Sequence, residues 1–403
     1  MKFRFGFALL AFLFTSTSWS NQAGIKWSEG EHLELGIEGS LLACKSLGIP
    51  KEKCPNQHIL RNDKEFSFQY GEILTSADYY NSPEDFAKDT NSGIAKIIKC
   101  AYKQKSKHSQ QREEDIDYPS CDATGIFSIP GYLEVLTQNY NHFAWNNMVA
   151  YVDYHTKALE FAKKSFEIKE SNSSLSRSLL NKALIFNGYA DHYLTDAFAS
   201  GHIRVPRIQI KEWARRELPG AFKASRGDLL SMFLHNTESM NLRTRKEEGL
   251  QVMNSRGDVW VTRGDGHLNL FATDEDPAVL LPRFAVAESF KEILVAATSG
   301  ELPNGVYAAT HYVPFQNDMP LIDKLSPHHQ QVKKNSDIAW LLFFSAPISE
   351  KLLFVKSDFS RMLDGLASIF IDFRHDISQA QTENPELQKR LPNKYLQAYL
   401  NVE

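Results

Sequence analysis

The sequence has no apolar run long enough to cross a bilayer. A spanning helix needs ~20 apolar residues, and the run Phe5–Phe14 falls well short of that. No CxxC pair occurs among the four cysteines, which disfavours a metal site built from thiolates alone. No internal repeat is apparent, so a solenoid or propeller is excluded. Positive charge is also lacking. The 45 Lys and Arg against 49 Asp and Glu give a net charge of −4, the wrong sign for a dedicated nucleic-acid binder.

What is present starts with an export signal. Lys2 and Arg4 form a basic start, Phe5–Phe14 an apolar core, and Ser16 and Ser18 small residues for a cut before Trp19. A cut after Ser20 is the alternative. Removing residues 1–18 takes away Lys2 and Arg4 and no acidic residue, moving the net charge from −4 to −6. The mature chain is expected outside the cytoplasm, secreted or periplasmic. Cys44, Cys54, Cys100 and Cys121 are then expected to form two disulfides. Of the three possible pairings, Cys44–Cys54 and Cys100–Cys121 are favoured, because each closes a short local loop.

Helical periodicity dominates the 403 residues. Leu175, Leu179, Ala183, Phe186, Ala190, Leu194 and Ala197 recur at three- and four-residue steps. Further helices are expected over 25–46, 130–168 and 277–298. Residues 252–268 alternate apolar positions around Gly257 and Gly264, which predicts a hairpin or irregular excursion. Residues 103–120 and 301–336 have connector composition. The stretch 337–403 holds two or three more helices, whose aromatic stripes are expected to pack on the core rather than dock on a membrane. The fold class is all-α, divided as a signal peptide (1–18), a catalytic domain (19–276) and a helical C-terminal extension (277–403).

The chemistry concentrates in HYLTDAFASGH. His192 and Asp196 are four apart and share a helix face. His202 follows a Ser200-Gly201 break and can turn back toward that face. Imidazole and carboxylate together suit zinc. The plain alternative is a helix end with two surface histidines. Other segments add candidate ligands: His32, Asp78, His142, and the pair His235 and Glu238.

At these positions the chain resembles the bacterial zinc-dependent phospholipase C family, which shares its fold with the S1/P1 nucleases. The family motif H-x3-D-x5-H is matched by His192, Asp196 and His202. Its A-D-Y segment is matched by Ala77-Asp78-Tyr79, and its histidine-phenylalanine segment by Asn141-His142-Phe143. Mature family members begin with a tryptophan, thirteen residues before a ligating histidine; Trp19 and His32 reproduce that step. The resemblance covers roughly residues 19–270.

The resemblance implies a multi-helix bundle holding three zinc ions. One ion would take Asp78, His142, His192 and Asp196. A second would take the amine and carbonyl of Trp19 with His32, Asp196 bridging. A third would take His202, His235 and an acidic residue. In the family that residue lies four positions after the histidine. Ser239 stands there, so Glu238, three positions on, is the expected ligand. The implied activity is secreted phospholipase C: hydrolysis of the glycerol–phosphate bond to diacylglycerol and a phosphorylated headgroup. Asp78 would be the general base, and Tyr79 one aromatic wall for a cationic headgroup. Asn139 and Gln22 replace the family's other aromatic and acidic headgroup partners, so broad headgroup use is expected. The expected partner is a phospholipid at a membrane or micelle surface, with no nucleic acid, and the expected state is a monomer. A zinc nuclease or 3′-nucleotidase and a non-catalytic zinc-stiffened binding module remain as alternatives. His155 is expected on a helix face rather than on a metal, and His267 as support for the hairpin.

Overall fold

The computed structural model describes residues 29–61, 66–90, 92–108, 121–241, 246–265, 275–316 and 356–400. The expected signal peptide, Trp19, Gln22 and His267 lie outside the described residues. The described chain is mostly helical. In order, the helices are α1 (Glu29–Ser46), α2 (Tyr70–Ser76), α3 (Pro83–Lys88), α4 (Gly93–His108), α5 (Cys121–Ser128), α6 (Tyr132–Gln138), α7 (Ala144–Glu167) and α8 (Ser173–Asp196). They continue as α9 (Ser200–Ile203), α10 (Arg207–Glu217), α11 (Lys223–Thr237) and α12 (Pro277–Ser299). The C-terminal group is α13 (Lys356–Asp364), α14 (Leu366–Glu383), α15 (Pro385–Arg390) and α16 (Asn393–Leu400). Among the described residues the strands are short antiparallel pairs. The longest pair, Leu250–Met253 with Val259–Thr262, forms a hairpin in the segment where alternation predicts one.

Helix α8 is the axis of the molecule. Asn172 caps its start by accepting from the Leu175 amide, satisfying one of the amides a helix start leaves open. From Ala183 to Asp196 every residue is buried. A helix buried all round is normally apolar, yet this one carries two polar stripes. Asn187, Asp191 and Thr195 follow one another at four-residue steps, and His192 and Asp196 do so beside them. The first stripe is satisfied inside the core. Tyr70 donates to Asp191 (2.7 Å) and Asn187 donates to Tyr70 (2.6 Å). His155 of α7 bridges Asn187 (2.5 Å) and Glu292 of α12 (2.8 Å). His155 is therefore a fully buried strut between helices.

Helices α1, α2, α7 and α12 surround α8. Close approach of α1 and α2 depends on Gly36 and Gly71: a methyl on Gly71 would lie 2.2 Å from the Leu33 carbonyl oxygen. Helix α12 starts with Pro277 behind an Asp276 cap and ends at Gly300, whose φ of 76° suits a residue without Cβ. It packs on α1, where Arg283 pairs with Glu34 and Glu38. The C-terminal helices pack on the same body. Tyr399 donates to the Ile203 carbonyl at 2.6 Å, Tyr395 stacks on Trp145, and Arg226 binds both oxygens of Asp358. Both disulfides form as the short-loop reading expects, Cys44–Cys54 and Cys100–Cys121.

Candidate metal centre

The second polar stripe of α8 faces the end of the bundle where several chain breaks converge. His32 comes from the end of the first turn of α1. Asp78 lies in the 3-10 turn Ala77–Tyr79 that ends α2, and His142 in the turn Tyr140–His142 before α7. His192 and Asp196 come from α8, His202 from α9 and His235 from α11. Turns and helix ends supply the donors because there the backbone can leave the bundle axis and aim a side chain across it.

Four donor atoms meet first. His142 Nδ1 lies 2.9 Å from Asp196 Oδ2 and 3.8 Å from Asp78 Oδ1. His192 Nε2 lies 3.4 Å from each of those carboxylates and 3.0 Å from His142 Nδ1. Donors at ~2.0–2.1 Å around a tetrahedral zinc ion stand ~3.3 Å from one another. The edges among Asp78, His142 and His192 and those from Asp196 to the two histidines scatter about that value, so these donors are of a spacing that suits a metal ion. The other Asp196 oxygen, Oδ1, lies 3.4 Å from His32 Nε2, so one carboxylate reaches two donor groups.

A further trio closes nearby. Asp265 Oδ2 lies 3.0 Å from His202 Nε2 and 3.0 Å from His235 Nε2. Here the structure corrects the expected third ligand. The carboxylate of Glu238 pairs with the buried Arg204 guanidinium at 2.5 Å, and Asp265 stands with the two histidines. Glu238 caps the helix that carries His235 with helical dihedrals, and the Arg204 guanidinium draws its carboxylate away from the two histidines. Asp265 arrives from the far side, three residues after the hairpin strand Val259–Thr262. Its only sequence signal is a carboxylate between two glycines, thirty residues from His235 in the chain.

Charge in the centre follows from burial and neighbours. Burial lowers the pKa of His32 and pushes that of His192 well down, keeping both neutral ligands at neutral pH. Burial acts against protonated His202 as well, but the Asp265 and Asp196 carboxylates outweigh it and raise His202 to about 9. For Asp196, burial alone would raise the pKa; His192, His202 and His142 overcome it and hold the carboxyl below its ordinary value. Asp265 is held down in the same way by His202 and His235. Anionic oxygens and neutral nitrogens are the forms that bind a metal.

Second partners orient the rings. His202 Nδ1 lies 2.5 Å from the His142 carbonyl oxygen, and His235 Nδ1 lies 2.8 Å from Asn236 Oδ1. Each acceptor takes the ring proton on Nδ1, so Nε2 is the nitrogen that would turn to a metal; without one, protonated His202 closes on Asp265 through Nε2 instead. Gly201 is required where α9 passes α11, since a methyl there would lie 2.5 Å from His235 Cδ2 and 2.7 Å from its carbonyl oxygen.

The expected headgroup wall differs in the structure. Tyr79 is buried at 1% exposure, stacked on Tyr132, and donates its hydroxyl proton to Glu29 Oε1 at 2.5 Å. Gln104 donates to the other oxygen of Glu29 at 2.8 Å. Tyr79 thus presents no open aromatic face to a ligand. Asn139 accepts from Arg207 and is also buried. Comparison with protein-family models, curated proteins and solved structures returns no match.

Proposed function

We propose that this chain is a zinc-dependent phosphodiester hydrolase of the phospholipase C kind, cutting the glycerol–phosphate bond of phospholipids. The observation that supports this most is the convergence of three donor triads, Asp78–His142–His192, His32–His192–Asp196 and His202–His235–Asp265. Zinc held there would act as a Lewis acid toward phosphate oxygen and lower the pKa of a bound water toward neutrality. His142, His192 and Asp196 would hold the first ion with Asp78. His32 and Asp196 would contribute to a second, together with Trp19 if the mature chain begins there. His202, His235 and Asp265 would hold a third.

Among the carboxylates of the first cluster, Asp78 is the more exposed, at 10% against 3% for Asp196. Its outer oxygen is the proposed proton acceptor for the attacking water. Asp196 is too deeply enclosed by histidines for that task. The burial of Tyr79 removes the aromatic wall, so headgroup choice is proposed to be broad and to rest on the phosphodiester itself. Two disulfides belong to an oxidising compartment, which fits a protein that meets lipid outside the cytoplasm.

The test is a substrate panel with and without chelator. Phosphatidylcholine, phosphatidylethanolamine and phosphatidylglycerol in matched micelles should all release diacylglycerol, within about tenfold of one another. Chelation should stop the release and added zinc should restore it. Hydrolysis of single-stranded DNA or 3′-AMP in place of lipid would transfer the assignment to the nuclease reading. Zinc binding without any hydrolysis would make the chain a binding module.

A further inference from the structure

Thr195 is buried on α8, between the ligand His192 and the ligand Asp196, at 1% exposure. Its Oγ1 has three close neighbours: the Asp191 carbonyl oxygen at 2.9 Å, the His192 carbonyl oxygen at 2.8 Å, and His32 Nδ1 at 2.8 Å. A hydroxyl has one proton to give, and a carbonyl oxygen can only accept. If the proton went to His32, Oγ1 would face two carbonyl oxygens within 3 Å with no proton between any of them. That arrangement is repulsive, and water cannot relieve it at a buried position. The proton therefore goes to a carbonyl of α8, and His32 Nδ1 donates to Oγ1.

This choice decides what the other side of the ring can do. With the proton on Nδ1, the Nε2 lone pair points toward Asp196 Oδ1, 3.4 Å away. A lone pair and a carboxylate facing each other in a buried site attract a cation placed between them. With the proton on Nε2, the same pair would close as an ordinary hydrogen bond and exclude a cation. The partner of Nδ1 thus selects between a cation site and a closed contact.

We propose that Thr195 is a positioning residue that locks His32 in the Nδ1–H tautomer and so keeps its Nε2 available to a metal ion shared with Asp196. The inference rests on the zinc reading of the centre and assigns one residue a role within it. The lock at His32 comes from a hydroxyl, whereas a backbone carbonyl secures His202 and a side-chain amide secures His235. It is the lock that a single substitution of matching shape can remove.

Competitive zinc titration against a chromophoric chelator tests this in the full-length mature protein. Thr195→Val keeps the shape and removes the hydroxyl. It should weaken one zinc ion by about 10–100-fold, the usual effect of losing a partner behind a ligand, and leave the other ions unchanged. Thr195→Ser should bind like the wild type. In a His32→Ala background Thr195→Val should add nothing, because the two act as one unit. Should Thr195→Val fold poorly, Thr195→Ala carries the same expectation without a branched side chain. Unchanged zinc affinity in a folded hydroxyl-free variant overturns the role of Thr195 and leaves the zinc reading intact. Additive losses in the double variant, or equal weakening of every ion, show a general packing effect and also overturn it. A wild-type protein that takes up no zinc overturns both.

Discussion

At the scale of single residues, the two acidic side chains near His235 make opposite predictions. Asp265→Ala should lower the bound zinc by one ion, measured by elemental analysis of the purified protein. Glu238→Ala should leave the zinc count unchanged and instead destabilise the fold, because it removes the carboxylate paired with the buried Arg204 guanidinium. Breaking a buried pair from one side costs ~3–5 kcal/mol, readable as a drop in the urea midpoint. The pH behaviour belongs to His202. Its folded-state pKa of about 9 lies above the ordinary 6.5. The stability it contributes to the metal-free protein is therefore complete below pH 6.5 and lost as pH rises through 9. The melting temperature of chelated protein should fall over that window. Asp265→Asn, which removes the anion that holds the proton, should flatten the fall; an equally steep fall in that variant would assign the slope to another group. His192 and Asp196 could be read from the sequence because a four-residue step fixes a shared helix face. Asp265 could not. Its approach depends on how a hairpin folds back over α9 and α11, and no local pattern encodes that.

At the scale of elements, the crossing of α9 and α11 rests on the absence of a side chain at Gly201. Gly201→Ala should push His235 away from Asp265 and lower zinc occupancy by one ion, with a smaller effect on the other two. Wild-type zinc content in this variant would mean that α11 can shift without cost. The disulfide Cys100–Cys121 ties α4 to α5, the helix whose Gly125 abuts Tyr79 and Tyr132. Replacing both cysteines by serine should cost ~3 kcal/mol, from the loop-closure entropy of a cross-link of this span, readable by denaturant unfolding. The helices α7, α8 and α12 are legible from periodicity, and so is the existence of the hairpin. The inward turn of Tyr79 is not. A tyrosine beside Asp78 can face solvent or core, and the outcome here depends on Glu29 of α1, which accepts its hydroxyl proton and is itself held by Gln104 of α4.

At the scale of the whole molecule, α12 begins where the sequence suggests that an extension starts. It packs on α1, α7 and α8, and Glu292 closes the His155 network. A chain cut at residue 276 should therefore fail to fold cooperatively, and circular dichroism melting of the truncated protein tests this. Chelation should also lower the melting temperature of the intact chain. Candidate donors from α1, α8, α9, α11 and separate turns converge there, so metal binding would add to folding free energy. An unchanged melting temperature after verified zinc removal would show that the helical packing alone holds the donors in place.

The candidate donors also span more than two hundred residues of the chain, from His32 to Asp265. A ribosome adding ~5–20 residues per second exposes His32 roughly 10–50 seconds before Asp265. Throughout that interval the nascent chain lacks a complete centre. The hydrolase proposed above would in this way stay inert until its chain has grown past Asp265, because the last of its candidate ligands is made only then.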